Sequence, residues 1–251
     1  MRNNYHTHTY LCKHAEGNVN DYVKKAVELG MEEIGISDHG PLLHNPFPRM
    51  TIFEFFNVYL KEIEKAQEEY KGQIKVYKSL ELEYLDKDYD YIQSLREHLD
   101  YLVLGCHYYS STNPCKETST FHIDTVEKLS QYVQLVEHAL DTGFFKIIAH
   151  PDMFFLGYKK FDDYARSACR RIIEAAIRND VYLEINANGM RRVKHRGYPR
   201  EEFFQMAKNM NAKIIIGADA HHPDELDDEA VKDAEEFAKS LEIKVCEKAE
   251  F

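Results

Sequence analysis

Seven short β-type runs alternate along this chain with longer segments of helical periodicity, and each run stops at a histidine, a carboxylate or an asparagine. The runs are the segment ending at His6 and His8, then residues 33–37, 75–80, 101–105, 145–149, 181–185 and 213–217. Helical spacing covers 20–29, a stretch from Thr51 to about Tyr70, 89–99, 126–140, 162–178, a segment starting at Glu201, and 229–240. Such alternation predicts a mostly parallel α/β fold, because parallel neighbours need crossover connections and helices supply them. A length of 251 residues fits one domain, 1–251, of the size of an α/β barrel. Thr51-Ile52-Phe53-Glu54 reads as a capping box after a proline-rich loop, and residues 243–246 read as a short last strand.

The run ends carry the chemistry. His6 and His8 face the same side of an extended segment, since side chains alternate along a strand, so the pair can grip one cation. His14 follows in the next loop. Asp38-His39, Glu81 with Glu83 two residues on, His107, His150-Pro151-Asp152, Asn186 with Asn188, and Asp219 with His221 stand at the later ends. In a parallel barrel all these ends open on one face. Taken singly, His107 could be a buried hydrogen-bonded histidine, Asp219 a helix cap and Glu81 a solvated carboxylate. Their common position on one rim argues for convergence.

His6, His8, His14, His39, Glu81, His107, His150, Asp219 and His221 exceed what one four-coordinate site uses, so two or three divalent metal ions are implied, with Glu81 able to bridge. Imidazole suits several transition metals and does not name one. Hydrolysis is the chemistry indicated. A bound metal lowers the pKa of water to about 7, and two ions about 3.5–4 Å apart can clamp a transferring phosphoryl group. Phosphate monoesters, which resist uncatalysed hydrolysis strongly, justify so much positive charge.

A formal net charge of −11 argues against nucleic acid or an anionic membrane as partner, while leaving room for a local cationic pocket. Five cysteines, odd in number and without a paired CxxC spacing, read as reduced thiols. With no apolar leader after Met1 and no run approaching membrane-spanning length, the expected location is the cytoplasm. The sequence carries no signal for oligomeric state.

In sequence order, His6-Thr7-His8-Thr9, Cys12-Lys13-His14-Ala15, Ser37-Asp38-His39, Leu80-Glu81, Gly105-Cys106-His107, Ala149-His150-Pro151-Asp152, Glu184-Ile185-Asn186 and Gly217-Ala218-Asp219-Ala220-His221 resemble the motifs of the PHP (polymerase and histidinol phosphatase) superfamily. The match covers almost the whole chain and is most similar to the monofunctional histidinol-phosphate phosphatase branch. The resemblance implies a distorted (β/α)7 TIM-like barrel with a trinuclear site of zinc, iron or manganese. One ion would take His6, His8, Glu81 and Asp219. A second would share Glu81 and add His107 and His150. A third would take His14, His39 and His221. A metal-bridging hydroxide held by Glu81 and Asp219 would then attack phosphorus in line, releasing L-histidinol and phosphate. One departure stands out: the family often has an acid two residues before the first histidine, where this chain has Asn4, which would weaken the hydrogen bond that orients a ligand.

The small phosphorylated substrate needs cations. Arg191 follows the Asn186 strand end, and a guanidinium suits a bidentate phosphate clamp. Arg192, Lys160 and Arg49 are further candidates, and His122, in the long loop before residue 124, is a candidate proton donor or substrate contact. Asp152 could orient His150 or the leaving group, or simply shape the turn after Pro151. His44, His98, His138, His195 and His222 are read as non-ligands. Three other readings stay open: a phosphotyrosine, nucleotide or nucleic-acid phosphoesterase on the same fold, separable by a panel of esters; a non-catalytic metal-binding regulator, which would hold metal without hydrolysis; and an amidohydrolase-like barrel, which would not need His14 and His39 together.

Overall fold

The computed structural model describes residues 1–43, 48–110, 115–191 and 197–251. Its strands are β1 (Asn3–Asn4), β2 (Glu33–Ile36), β3 (Lys75–Lys78), β4 (Glu81–Leu82), β5 (Val103–Leu104), β6 (Ile147–Ile148), β7 (Tyr182–Asn186) and β8 (Ile214–Gly217). The helices are α1 (Val19–Glu28), α2 (Ile52–Glu54), α3 (Leu60–Glu69), α4 (Tyr89–Arg96), α5 (Val126–Asp141), α6 (Asp163–Arg178), α7 (Ala187–Arg191), α8 (Glu201–Asn209) and α9 (Glu229–Ser240). Every strand pairing among these is parallel, in the orders β1-β2-β3 and β4-β5-β6-β7-β8.

The two sheets are arcs of one ring. β3 and β4 belong to a single run interrupted at Ser79 and Leu80. The interruption has a cause: the buried Tyr59 hydroxyl lies 2.8 Å from Ile36 O and 2.7 Å from Ser79 O and accepts the Asp38 N–H at 3.2 Å. A side chain thus occupies the place of a ladder bond. Beyond it pairing resumes as a parallel bridge between His39 and Glu81. At the opposite seam Thr7 bridges Ala220, and His8 N–H donates to Ala220 O at 2.9 Å. Seven strand runs therefore close into a distorted barrel, as the resemblance implies, and the parallel pairing is the one the alternation predicts.

Asn4 sits in that seam. Fully buried, it accepts the Ala218 N–H on Oδ1 at 2.8 Å and donates Nδ2 to His6 O at 3.2 Å, so its amide joins the first strand to the last. Its place is structural, against backbone, and the orientation of the histidines is left to another residue described below.

Inside the barrel, Tyr5, Tyr77, Tyr101, Val103, Ile147, Tyr182 and Ile215 form one apolar cluster. Register places Val103, Ile147 and Tyr182 in line with Glu81, so this cluster is the floor beneath the ligand-bearing ends. A larger cluster fills the space between strands and helices, including Val133, Val136 and Leu140 of α5 against Ala165, Cys169 and Ile172 of α6. These positions recur every three or four residues, the spacing that gives a helix one apolar stripe.

The capping box forms as predicted: Thr51 Oγ1 accepts from Glu54 N at 3.1 Å and Glu54 Oε2 accepts from Thr51 N at 2.8 Å. The helix it opens is not uniform, since a five-residue π turn, Phe55–Tyr59, separates α2 from α3 and delivers Tyr59 to the sheet. One expectation is corrected. Residues 243–246 form no strand; Ile243 is buried and Cys246 N–H makes one bond to Ile214 O at 2.7 Å, without a ladder. The segment after Asn186 begins as the short helix α7. No helix of the described residues is long and apolar enough to cross a membrane.

Candidate metal centre

The strand ends do converge. Three groups have donor atoms lying within 4.8 Å of one another: His6, His8 and Glu81; Glu81, His107 and His150; and His14, His39 and His221. Glu81, in β4, is 2% exposed and stands between them. Its Oε1 is 3.2 Å from His150 Nε2, and its Oε2 is 3.1 Å from His39 Nδ1 and 3.4 Å from His6 Nε2. Asp219 Oδ1 lies 3.1 Å from His8 Nε2 and 3.7 Å from His6 Nε2. Asp219 and His150 both take left-handed backbone angles, φ 46° and 35°. Each such residue costs about 1–3 kcal/mol of strain, which the surrounding fold must offset.

The donor chemistry fits cations. His14 Nδ1 meets Cys12 O at 2.8 Å and His221 Nδ1 meets Asp219 O at 3.1 Å. A carbonyl only accepts, so in each neutral ring Nδ1 carries the proton and Nε2 is a bare lone pair. Yet these two Nε2 atoms are 3.1 Å apart. His6 Nδ1 donates to Glu184 Oε1 at 2.8 Å, and its Nε2, 3.0 Å from His8 Nε2, has room for a proton or a metal ion between the two rings. Lone pairs facing each other at this distance repel unless a cation lies between them.

Burial and charge set the protonation states. Burial pushes His8 down to about 3; burial likewise holds His39 well below the ordinary histidine value and lowers His14. These rings are neutral, as ligation requires. His6 is raised well above its ordinary value: burial opposes its charge, but Glu184, Asp219 and Glu81 outweigh it. Glu81 and Asp219 stay well below the usual carboxylate range despite burial, held there by His39 and His6 for Glu81 and by His6 and His8 for Asp219. His107 rises to about 9, with burial opposing and Glu83 and Glu81 prevailing.

Orientation comes from residues that sequence reasoning did not single out for it. Glu184, fully buried in β7, takes His6 Nδ1–H on one oxygen and the His150 N–H on the other at 3.1 Å. The negative partner that Asn4 does not provide therefore comes from across the barrel. Asn186 Nδ2 links Glu184 Oε2 at 2.7 Å to Asp219 Oδ2 at 3.1 Å, and Asn188 Nδ2 also reaches Asp219 Oδ2 at 3.1 Å. Gly217 is required here, because a Cβ would collide with the Glu184 carboxylate. Glu83 binds His107 at both Nδ1 and the backbone N–H. The alternation of Glu184 and Asn186 on one strand face was the available signal. Cys12 was not foreseen as a donor either; its sulfur forms a further group with His8 and His221.

A cavity of about 390 Å³ opens over the cluster, and Arg49 and His122 line it together with His14, His39, His107, His150, Asp219 and His221. Lys160 is exposed and lies away from its lining. Arg191 also stands apart. Its Nε binds Asp228 Oδ2 at 2.6 Å, and its terminal nitrogens donate to Ala218 O at 2.6 Å and Glu225 O at 2.8 Å. That guanidinium ties α7 to the loop after β8, which corrects its reading as a phosphate clamp: its donors are committed to protein acceptors. Arg192 lies outside the described residues, as do His44 and His195. Asp152, pushed up to about 7 by burial, accepts the Arg200 N–H at 2.6 Å and so anchors the start of α8. His98, His138 and His222 are engaged elsewhere, with Phe56, Asp86 and the Asp224 N–H.

A model of the PHP domain matches residues 4–188. The chain belongs to the PHP domain family. Among PHP relatives, the "Probable histidinol-phosphatase" of Deinococcus radiodurans is 26% identical over 233 residues, covering 88% of this chain and 86% of the relative. The "Histidinol-phosphatase" of Bacillus subtilis is 23% identical over 246 residues, covering 86% of this chain and 92% of the relative. The fold is similar to that of the histidinol phosphate phosphatase of Lactococcus lactis subsp. lactis, solved with zinc, L-histidinol and phosphate. That likeness has a TM-score of 0.77 at 18% identity, over 100% of this chain and 99% of that chain.

Proposed function

We propose that this PHP-family chain, acting as one unit over residues 1–251, hydrolyses L-histidinol phosphate to L-histidinol and phosphate with two or three divalent cations. The carrying observation is Glu81, whose two oxygens face different histidine groups at 3.1–3.2 Å, as a bridging carboxylate must. The names and bound ligands of the relatives support the substrate. Zinc, iron and manganese suit the donors, and such ions would lower the pKa of water and neutralise phosphate charge.

The protein's own groups then have definite tasks. Glu81 and Asp219, with His6, His8, His107 and His150, would hold the cations, and such cations would supply an activated water for the attack on phosphorus. His14, His39 and His221 would hold a further cation. Glu184 and Glu83 fix ring orientation, which keeps Nε2 of His6 and His107 aimed inward. Arg49, on the cavity wall, meets the phosphate oxygens; its positive charge already acts on His14, His39 and His107. His122, exposed at the cavity mouth, is placed to meet the leaving alcohol. Lys160 and Arg191 take no part. The proposed setting is a reducing cytoplasm, in which the five free thiols would persist.

The test is phosphate release from histidinol phosphate by metal-loaded protein. Release that stops on chelation and returns on adding back metal supports the proposal. Fully metallated protein that leaves histidinol phosphate intact overturns it.

A further inference from the structure

The cavity has two unlike sides. The donors and Arg49 form one. The other is carried by two 3₁₀ turns, Thr120–His122 and Met153–Leu156, and presents Phe121, Met153, Leu156 and, beside them, Tyr198. A polyol phosphate would press hydroxyls against Phe121, Met153 and Leu156 and leave those hydroxyls without partners. A flat ring would not.

Phe121 is the unusual member. It is 56% exposed, while Met153 and Tyr198 are 7% and 4% exposed. Among the described residues its ring stacks on no other aromatic side chain. Its backbone is nevertheless held firmly. Thr120, 1% exposed, donates its N–H to His107 O at 2.8 Å, which ties the turn to a ligand-bearing loop. Gly157 ends the second turn and packs directly on the first: a Cβ there would come 2.5 Å from Thr120 O and 2.7 Å from Ile123 N. An exposed aromatic face on a rigid mount, at the mouth of the cavity over the donors, is preorganised for a ligand.

We propose that Phe121 selects the alcohol, its face receiving the flat ring of an aromatic or heteroaromatic phosphate monoester while the phosphate is held on the donor side. This rests on the phosphatase reading above and narrows it. For histidinol phosphate the ring is the imidazole.

The test compares metal-loaded wild type, Phe121→Ala and Phe121→Trp on histidinol phosphate, phenyl phosphate and glycerol phosphate. In Phe121→Ala, kcat/KM for phenyl phosphate relative to glycerol phosphate falls about three- to tenfold, through KM. Phe121→Trp restores the ratio. Gly157→Ala, which must shift the turn, lowers the same ratio with Phe121 intact. An unchanged ratio in Phe121→Ala, or an equal loss on both esters, or a failure of tryptophan to restore it, overturns the inference. Wild type that cleaves phenyl phosphate but leaves histidinol phosphate intact overturns the proposed substrate and leaves ring selection to stand on the phenyl ester. Wild type that cleaves none of the three overturns both.

Discussion

Glu184 Oε1 accepts the Nδ1–H of His6 at 2.8 Å, in a position with no exposure to solvent for either group beyond 1%. A buried carboxylate behind an imidazole fixes its tautomer and raises its basicity as a ligand. Glu184→Gln keeps the shape and loses the charge. Metal affinity, measured by competition with a chelator, falls about 10- to 100-fold, and activity recovers in excess metal. An unchanged affinity would mean that Glu184 serves only packing.

Glu81 is the larger loss. Glu81→Gln removes a charge that faces His39 on one oxygen and His150 on the other. Turnover drops by more than about 100-fold, the upper end of the cost for residues that merely orient a ligand, and by more than any other single substitution among the nine donors. Near-normal turnover in Glu81→Gln would sink the bridging assignment.

How much of this was legible beforehand depended on where partners lie. Strand-end residues announce themselves because a parallel barrel sends every such end to one rim, and His6, His39, Glu81, His107, His150 and Asp219 needed nothing else. Glu184 did not announce its task, since its partner lies 178 residues away. Arg191 was misleading for the same reason: Asp228, 37 residues on, claims the guanidinium. The strand break at Ser79 was hidden because Tyr59 reaches it from a π turn, and helical periodicity gives no warning of one. Residues 243–246 had the composition of a strand but no neighbour left to pair with once the ring had closed.

Arg191→Ala is predicted to lower stability by about 1–3 kcal/mol, because Asp228 and two carbonyls lose their donor. The KM for the phosphate ester stays as in wild type, since the residue is outside the cavity. Thermal melts and kinetics on one preparation check both halves; a raised KM without destabilisation would return Arg191 to the substrate.

Asn4→Ala leaves the Ala218 N–H buried without its acceptor. The cost is about 1–3 kcal/mol, which lowers Tm by roughly 2–4 °C per kcal/mol in a chain of this size. A melting point within 1 °C of wild type, a margin set roughly by that same relation, would show that the amide contributes nothing to closing the ring.

Native protein should react with a thiol reagent at Cys115 and Cys246, which are partly exposed, well before the other three. Cys12, Cys106 and Cys169 are buried, and burial raises each thiol, Cys12 to about 12, so little thiolate is present at neutral pH. Mass spectrometry of briefly labelled protein distinguishes them. Rapid labelling of Cys169 would contradict the packing of α6.

Asn4 and Ala218 join the opening strand to the final one, and the donors straddle that joint: His6 and His8 belong to its first half, Asp219 and His221 to its last. During synthesis the amino end emerges first. A nascent polypeptide carrying the early histidines has no Asp219 to meet them, so a competent cluster cannot assemble until residue 219 has emerged. Chains that stall or are truncated before residue 219 would carry the paired imidazoles without the second carboxylate, Asp219, that faces them.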